Sequence, residues 1–126
     1  MDILLDTHAV LWFFKGDEKM PKIATDMIND PNNKKYVSIA SVWEVAIKTS
    51  NGKLSVDGGI DGFINAIENN GFLLLEIDPH HIKAVATLPF IHRDPFDRML
   101  VAQAIEEDLY IMTVDNNIKK YNIIVI

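Results

Sequence analysis

Short runs of hydrophobic residues alternate along the chain with longer segments in which hydrophobic residues recur every three or four positions. Runs of the first kind are typical of buried strands, and the second spacing is typical of amphipathic helices. Five strands are predicted, at residues 2–5, 36–39, 72–77, 109–114 and 122–126. Helices are predicted at residues 7–15, 21–29, 41–52, 57–70, 79–87 and 95–104, with a short one at 116–121.

Because strands alternate with helices, the pattern indicates βαβ units and a parallel sheet covered on both faces. We therefore predict a three-layer α/β/α sandwich with a five-stranded parallel sheet, formed by one domain over residues 1–126. Open parallel sheets bind ligands outside the carboxyl ends of their strands. The residues that directly follow each strand are therefore the candidates for a functional site.

Composition adds limits on location and partners. The chain is 48% hydrophobic and 24% charged, and it has no apolar run of membrane-spanning length, so we expect no membrane segment. No basic stretch precedes the first apolar residues, and there is no cysteine, so we expect no signal peptide and a cytoplasmic location. The net charge of −6 disfavours broad electrostatic binding of nucleic acid, so such contacts should be local or mediated by metal ions.

Residues 92–104, HRDPFDRMLVAQA, carry the strongest local signal for a helix with an acidic start. Pro95 suits the first helical position, which makes Asp94 the N-cap and Asp97 the third helical residue. The inward-facing residues are predicted to be Phe96, Met99, Leu100, Gln103 and Ala104. Capping and the helix dipole explain both carboxylates on their own, so a functional interpretation requires other carboxylates at the same place.

Three further carboxylates are expected at the edge of the sheet that Asp97 reaches. Asp6 ends the first strand, Glu44 lies near the start of the helix after the second strand, and Asp115 ends the fourth. Each has a structural alternative, since Asp6 and Asp115 could cap helices and Glu44 could form a capping box with Ser41. Their convergence from four distant segments favours a functional site.

Such a cluster of carboxylates requires a cation. Two carboxylates about 5 Å apart repel by roughly 3 kcal/mol at an effective dielectric near 20. Oxygen ligands without His or Cys at metal-binding spacing favour a hard ion, Mg²⁺ or Mn²⁺. Such an ion can activate a water and neutralise the charge that develops on the phosphorus oxygens, so the predicted chemistry is metal-assisted phosphoryl hydrolysis.

Four segments resemble a known family. They are LLDTHAVLW around Asp6, VSIASVWEVAIKTSNGKL around Glu44, HRDPFDRMLVAQA around Asp97 and MTVDNNIKKY around Asp115. In order and spacing, the chain resembles PIN-domain ribonucleases of the VapC-type toxin group, although residues 53–92 are generic. The resemblance implies a five-stranded parallel α/β/α sandwich. It also implies a Mg²⁺-dependent endoribonuclease that is the toxin of a type II toxin–antitoxin pair.

Carried over residue by residue, the resemblance makes Asp6, Glu44, Asp97 and Asp115 the acidic Mg²⁺ pocket, with Asp6 and Asp97 as the direct ligands. Asp94 is a subsidiary member that could hold a metal-bound water as well as cap the helix. The reaction implied is attack by a metal-activated water on RNA, which leaves a 5′-phosphate and a 3′-hydroxyl. The family also implies a homodimer, and a cognate antitoxin whose helix and tail fill a hydrophobic groove near the pocket.

Several polar residues are weaker candidates. Thr113 and Thr7 could orient a carboxylate or a water, or could be ordinary polar residues near strand ends. Arg98 and Arg93 could hold a substrate phosphate through their guanidinium groups, or could neutralise the excess carboxylates, which we favour for Arg98. Lys48 has the spacing of a helical ion pair with the glutamate four residues before it.

Histidines and aromatic residues are expected to be structural for the most part. His8 and His92 should lie at the surface or around the carboxylates without a catalytic role, while His80 and His81 begin a helix elsewhere. Most of the aromatic residues beside the predicted site should be core, and an exposed subset would suit antitoxin binding. These aromatic residues are Trp12, Phe13, Phe14 and Trp43.

Three alternatives remain open from the sequence. A phosphoacceptor receiver domain has a similar layout, but it needs a lysine after its fifth strand and then a final helix, and neither is recognisable here. A PIN-like domain that binds RNA or antitoxin without cleavage is disfavoured by the intact acids. A nuclease that acts on DNA is possible, because no feature of the sequence identifies recognition of a 2′-hydroxyl.

Overall fold

The computed structural model describes residues 1–113 and 115–120, and these residues form four strands and six helices. The strands are β1 (Asp2–Leu5), β2 (Lys34–Ser38), β3 (Leu73–Leu75) and β4 (Tyr110–Met112). The helices are α1 (Thr7–Lys15), α2 (Lys22–Asn29), α3 (Ile39–Ser50), α4 (Gly59–Asn69), α5 (Pro79–Thr87) and α6 (Pro95–Glu106), followed by a 3₁₀ turn at Ile118–Lys120. Among these helices none is both long and apolar enough to cross a membrane.

The strands form one parallel sheet in the order β3-β2-β1-β4. In the central strand, Leu4 is paired with Tyr36 of β2 on one side and with Ile111 of β4 on the other. The predicted parallel α/β fold is thus confirmed, with four strands in the described part of the chain. The fifth predicted strand, at 122–126, lies outside the described residues.

Alternate residues of β1 are buried on opposite faces of the sheet, as the two-residue period of a strand requires. Ile3 and Leu5 pack in one hydrophobic core with residues of α1 to α4, and Leu4 packs in a second core with residues of α6. All three side chains are fully buried. A strand covered on both faces reads as a continuous hydrophobic run, and the two cores produce the three predicted layers.

The boundary between β2 and α3 differs from the prediction in a way that affects the site. The helix begins at Ile39, two residues early, because the hydroxyl of Ser38 caps it by accepting a hydrogen bond of 3.0 Å from the Ala40 amide. Ser41 therefore lies inside the helix, and Glu44 lies in its second turn. The alternative prediction, that Glu44 forms a capping box with Ser41, is therefore wrong, because the N-cap of this helix is Ser38.

Strand β3 is shorter than predicted because it forms the edge of the described sheet. It pairs only with β2, where Leu73 to Leu75 lie opposite residues 36–38. Strand β2 extends back to Lys34, which pairs with Asp2 of β1. The prediction from hydrophobic character therefore made β3 too long and β2 too short, because pairing with the neighbouring strands sets the length of each.

Candidate active site at the carboxyl edge of the sheet

The order of the strands brings the candidate carboxylates to one edge. Because β1 lies between β2 and β4, Asp6 at its carboxyl end lies between the segments that follow its two neighbours. Glu44 belongs to the helix after β2, and Asp115 follows β4. Asp97 reaches the same place from the first turn of α6, and its pKa responds to the charges of Asp6 and Glu44.

Asp6 both caps a helix and faces the site. Its side chain is 3% exposed, and its Oδ1 accepts a hydrogen bond of 2.7 Å from the amide of Ala9. Its Oδ2 accepts a hydrogen bond from the hydroxyl of Thr113. Burial raises the pKa of Asp6 above its usual value, although these two hydrogen bonds oppose that change. The capping alternative is therefore correct for this residue and compatible with a functional role.

Two threonines hold carboxylates in place. The Thr113 hydroxyl that donates to Asp6 also accepts a hydrogen bond of 2.9 Å from the amide of Asp115. The Thr7 hydroxyl donates to Oε1 of Glu44 over 2.7 Å and lies 2.9 Å from the hydroxyl of Ser41. The structure thus places both threonines where they orient carboxylates.

Glu44 has a cation as its other partner. Its side chain is buried, and its Oε2 lies 2.7 Å from Nζ of Lys48, one helical turn away. This is the ion pair expected from the spacing of the two residues. The hydrogen bond to Glu44 raises the pKa of Lys48, and the charges of Asp94 and Asp97 add to this effect, which places the lysine in the field of these three acids.

At the start of α6 the predicted cap is present. Oδ1 of Asp94 accepts hydrogen bonds of 2.8 Å from the Phe96 amide and 3.1 Å from the Asp97 amide. Pro95 occupies the first helical position, where its missing N–H costs no hydrogen bond. Of the predicted inward-facing residues, Leu100, Gln103 and Ala104 are buried, whereas Phe96 and Met99 are only partly buried. Asp97 therefore stands at the open end of a well-anchored helix.

His92 connects two of the carboxylates. Its Nδ1 accepts a hydrogen bond of 3.1 Å from the Asp94 amide, so a neutral ring carries its proton on Nε2. That Nε2 lies 3.1 Å from Oδ2 of Asp97 and 3.1 Å from Oδ2 of Asp115. His92 is therefore in direct contact with the cluster and is not a surface residue. The sequence does contain one signal for this placement. His92 lies two residues before the cap Asp94, a spacing that lets its ring accept a hydrogen bond from the Asp94 amide.

The electrostatics of the site are dominated by Asp97. Burial and the neighbouring charges of Asp94, Glu44 and Asp6 raise its pKa to about 7, against the opposing effect of His92. Asp115 differs from Asp97 in the direction of its pKa change. Burial raises the pKa of Asp115, but the hydrogen bond from His92 and those from backbone amides outweigh this effect, so the net pKa lies below the usual value. Without a cation, Asp97 is thus close to half protonated at neutral pH.

The two arginines lie in different environments. Arg98 is buried, and its guanidinium donates to the carbonyl groups of Pro89, Val85 and Leu88 and packs over the ring of Phe90 at 4.8 Å. These contacts fix the segment between α5 and α6, which carries His92. Arg93 is exposed. A phosphate-binding role for either arginine stays a prediction.

A second group of ionisable residues lies at the other end of α6. His81 is fully buried, its Nδ1 accepts the Asp78 amide over 3.0 Å, and its Nε2 lies 2.7 Å from Oε1 of Glu107. His80 approaches the same carboxylate oxygen at 3.0 Å. Because Nδ1 of His81 is already an acceptor, the neutral ring donates from Nε2 to Glu107. The cluster joins the start of α5 to the end of α6.

The residues at the carboxyl edge fit a divalent cation. One ligand atom each from His92, Asp97 and Asp115 lies within 4.8 Å of the others, and Asp6 and Glu44 add buried carboxylates beside them. The raised pKa of Asp6 and of Asp97 shows that the local positive charge does not fully offset the burial and crowding of these acids. A bound cation would relieve both effects, and oxygen ligands suit Mg²⁺ or Mn²⁺.

Together, the fold and this edge define an α/β protein with a carboxylate-lined site outside the ends of its parallel strands. The sequence matches the PIN domain over residues 3–124, and the chain belongs to this family. The resemblance seen in the four sequence segments is thereby confirmed. The receiver-domain alternative is wrong, since receiver sheets place the third strand beside the first, whereas here β2 and β4 flank β1.

Solved structures of similar fold come from toxin–antitoxin studies. VapBC2 from Rickettsia felis, bound to a DNA fragment from its promoter, superposes with a TM-score of 0.77 at 13% identity and covers 100% of this chain and 98% of that one. VapBC-1 from nontypeable Haemophilus influenzae superposes with a TM-score of 0.70 at 17% identity, and the match covers 100% of this chain and 97% of that one. A toxin–antitoxin complex from Klebsiella pneumoniae superposes with a TM-score of 0.69 at 15% identity, and the match covers 98% of this chain and 95% of that one. No curated protein matches the sequence.

Proposed function

We propose that this PIN domain is a Mg²⁺-dependent endoribonuclease and the toxin of a type II toxin–antitoxin pair. PIN domains are generally nucleases, and the observation that carries the proposal is the meeting of four carboxylates at one sheet edge. The raised pKa of Asp97 supports a cation there. A bound divalent cation would supply the charge that makes a water nucleophilic and stabilises the phosphate in the transition state.

In this proposal the chain holds the cation and keeps its carboxylates oriented. Asp6 and Asp97 are the direct ligands, and Glu44 and Asp115 complete the acidic pocket. Asp94 keeps the start of α6 in place and could hold a water at the pocket. Thr113 and Thr7, through the hydrogen bonds described above, restrict the rotation of the carboxylates they contact. Hydrolysis of RNA would leave a 5′-phosphate and a 3′-hydroxyl.

An apolar groove beside Asp6 supports an antitoxin partner. The groove has a volume of about 510 Å³ and lies between α1, α2 and the end of β4. Its lining includes Asp6, Trp12, Ile23, Met27 and Met112. Ile23 is 72% exposed, so the groove presents apolar surface to solvent next to a carboxylate. We propose that an amphipathic antitoxin helix fills it, with a cationic side chain close to Asp6.

A homodimer is proposed through the outer face of α3. Ile39, Trp43 and Ile47 are exposed and follow one another at four-residue intervals, which aligns them on one side of the helix. Trp43, at 59% exposed, packs edge-on against Phe96 with ring centroids 5.1 Å apart. An exposed apolar stripe of this kind is typical of an association surface. Analytical ultracentrifugation of wild type and Trp43→Glu tests this directly, with a shift toward monomer expected for the variant.

The nuclease proposal is tested by incubating the purified protein with structured RNAs and Mg²⁺, with and without a chelator. Cleavage is expected only with the metal. Asp97→Asn, which keeps the shape of the side chain but removes its charge, should lower cleavage by about 10²-fold or more, because the ligand acts in the transition state.

The matched control is Asp61→Asn, since Asp61 is an exposed aspartate in the first turn of α4. It should cleave like wild type. Cleavage that persists in the chelator, or in a folded Asp97→Asn protein, would contradict the metal mechanism.

A further inference from the structure

A second groove opens beside the acidic site and differs from the apolar one in charge. It has a volume of about 370 Å³ and lies between α1, the last turn of α3 and the segment that follows α3. Its lining includes Thr7, three lysines and two aromatic rings, namely Lys15, Lys48, Lys53, His8 and Trp12. None of these described residues is acidic, although the chain as a whole carries a net charge of −6.

The lysines of this groove provide local positive charge. Lys15 and Lys53 are exposed, and neither forms a salt bridge within the described part of the chain. Lys48 is shared with the acidic site, because its Nζ lies 2.7 Å from Glu44. The two exposed lysines give this concave surface of an acidic protein a local positive potential, which favours an anionic ligand.

The groove adjoins Glu44 of the proposed acidic pocket through two of its lining residues. Thr7 lines it, follows Asp6 in the chain, and donates to the buried carboxylate of Glu44. Lys48 contacts the other oxygen of Glu44 from the groove side. The groove and the acidic site therefore share Thr7 and Lys48.

Aromatic rings complete the lining. His8 and Trp12 are one helical turn apart on α1, with ring centroids 6.2 Å apart and planes inclined by 33°. His8 is exposed and Trp12 partly so. Solvent-accessible rings beside cationic side chains suit an unpaired base, which stacks on aromatic rings while lysines bind the adjoining phosphates.

We infer that this groove binds the single-stranded RNA segment next to the scissile phosphate. Lys15 and Lys53 contact its phosphates, and the His8 and Trp12 rings stack with a base. The inference rests on the proposed ribonuclease function and adds to it the path of the substrate. It also explains how a protein with net negative charge places a polyanion at a cluster of carboxylates, since the groove supplies the attraction and the cation site supplies the chemistry.

The test separates RNA binding from cleavage. Binding of a fluorescent oligouridine strand is measured by anisotropy in the Asp97→Asn background, over a range of salt concentrations. Lys15→Ala combined with Lys53→Ala should weaken binding about tenfold at low salt. It should also reduce the slope of log K against log salt by about 1.4, as two fewer phosphate contacts predict.

Lys34→Ala combined with Lys83→Ala is the control, since both lysines are exposed, lie away from the groove and make the same change in net charge. It should leave affinity and slope close to those of the parent. His8→Ala tests the aromatic contact. His8 is chosen over Trp12 because Trp12 also lines the apolar groove. The His8→Ala variant should bind RNA more weakly without a change in the salt slope.

Equal affinity of the groove variant and the control variant would overturn the inference while leaving the nuclease proposal in place. A wild type that neither binds nor cleaves RNA would overturn both. A groove variant that binds RNA normally but loses affinity for the antitoxin would assign the groove to the partner and also overturn the inference.

Discussion

Nε2 of His92 lies 3.1 Å from Oδ2 of Asp97, so a histidine is in direct contact with a carboxylate proposed to hold the metal ion. The same nitrogen reaches Asp115, and the opposite ring nitrogen accepts the amide of Asp94. The ring therefore joins the start of α6 to the segment after β4.

The first prediction concerns pH. In the folded protein the pKa of Asp97 is raised to about 7, so its contribution to stability is full below its ordinary pKa of 3.8 and is lost as pH rises through about 7. Metal-free protein should therefore lose stability over this range. Mg²⁺ binds the ionised carboxylate, so its stabilising effect should grow over the same range.

Thermal melting with and without Mg²⁺, followed from about pH 5 to about pH 8, measures both effects. Asp97→Asn should reduce the pH dependence and weaken the response to Mg²⁺, leaving the smaller part due to Asp6, whose pKa is also raised. If Mg²⁺ raised the melting temperature as much at the acidic end of the range as at the basic end, Mg²⁺ binding would not depend on ionisation of Asp97, and the prediction would be wrong.

The second prediction concerns His92→Ala. Loss of the imidazole should raise the pKa of Asp115 and of Asp97, because His92 lowers both. The metal-free protein should lose about 1 to 2 kcal/mol of stability, as expected when carboxylates lose a hydrogen-bond donor. The pKa values are measured by NMR titration of the carboxyl carbons, with His8→Ala as the control, since His8 is exposed and makes no such hydrogen bond to any carboxylate in the described part of the chain. An unchanged pKa at Asp115 would show that the contact is energetically unimportant.

The third prediction separates stability from activity. His81→Ala should lower the free energy of unfolding by about 2 to 4 kcal/mol, because it leaves a cavity and removes the hydrogen bonds of a fully buried ring. His80→Ala, at the adjacent half-exposed residue, should cost about 0 to 1 kcal/mol. Urea unfolding gives both values. Cleavage per folded molecule should be normal in each variant, and a selective loss of cleavage in His81→Ala would show that the cluster affects the catalytic site.

The fourth prediction concerns the antitoxin. The sequence contains two tryptophans, and either could become less exposed when an antitoxin binds. The structure favours Trp12, which lines the apolar groove. In Trp43→Phe protein, emission from the remaining Trp12 should shift to shorter wavelength on antitoxin binding. In Trp12→Phe protein, Trp43 serves as the comparison, and unchanged emission in both variants would contradict an antitoxin site at these residues.

Some of the site could be predicted because its signals are local. The cap at Asp94, the first-turn position of Asp97 and the ion pair of Glu44 with Lys48 depend on residues one helical turn apart. The parallel α/β class was also predictable, since it follows from alternating strands and helices. Errors occurred where a distant partner decides the outcome, as in β3, whose length is set by its pairing with β2.

His92 shows the same limit at the site. The sequence places it two residues before Asp94 but gives no information about Asp115, which follows a strand more than twenty residues later in the chain. Its ring contacts both Asp97 and Asp115 because Arg98 anchors the preceding segment to α6. Contacts of this kind depend on how α6 packs beside β4, which no local pattern reports.

By itself, the sequence determined the fold class and the capped acidic start of α6, because helix periodicity and capping act over a few residues. Only the tertiary structure decided the order β3-β2-β1-β4, which places Asp6 between Glu44 and Asp115. It also decided that His92 joins two of the acids and that the lysines of α1 and α3 form one groove with His8 and Trp12. The reason is physical, since these contacts arise from packing between segments that are distant in the chain and depend on the fold as a whole.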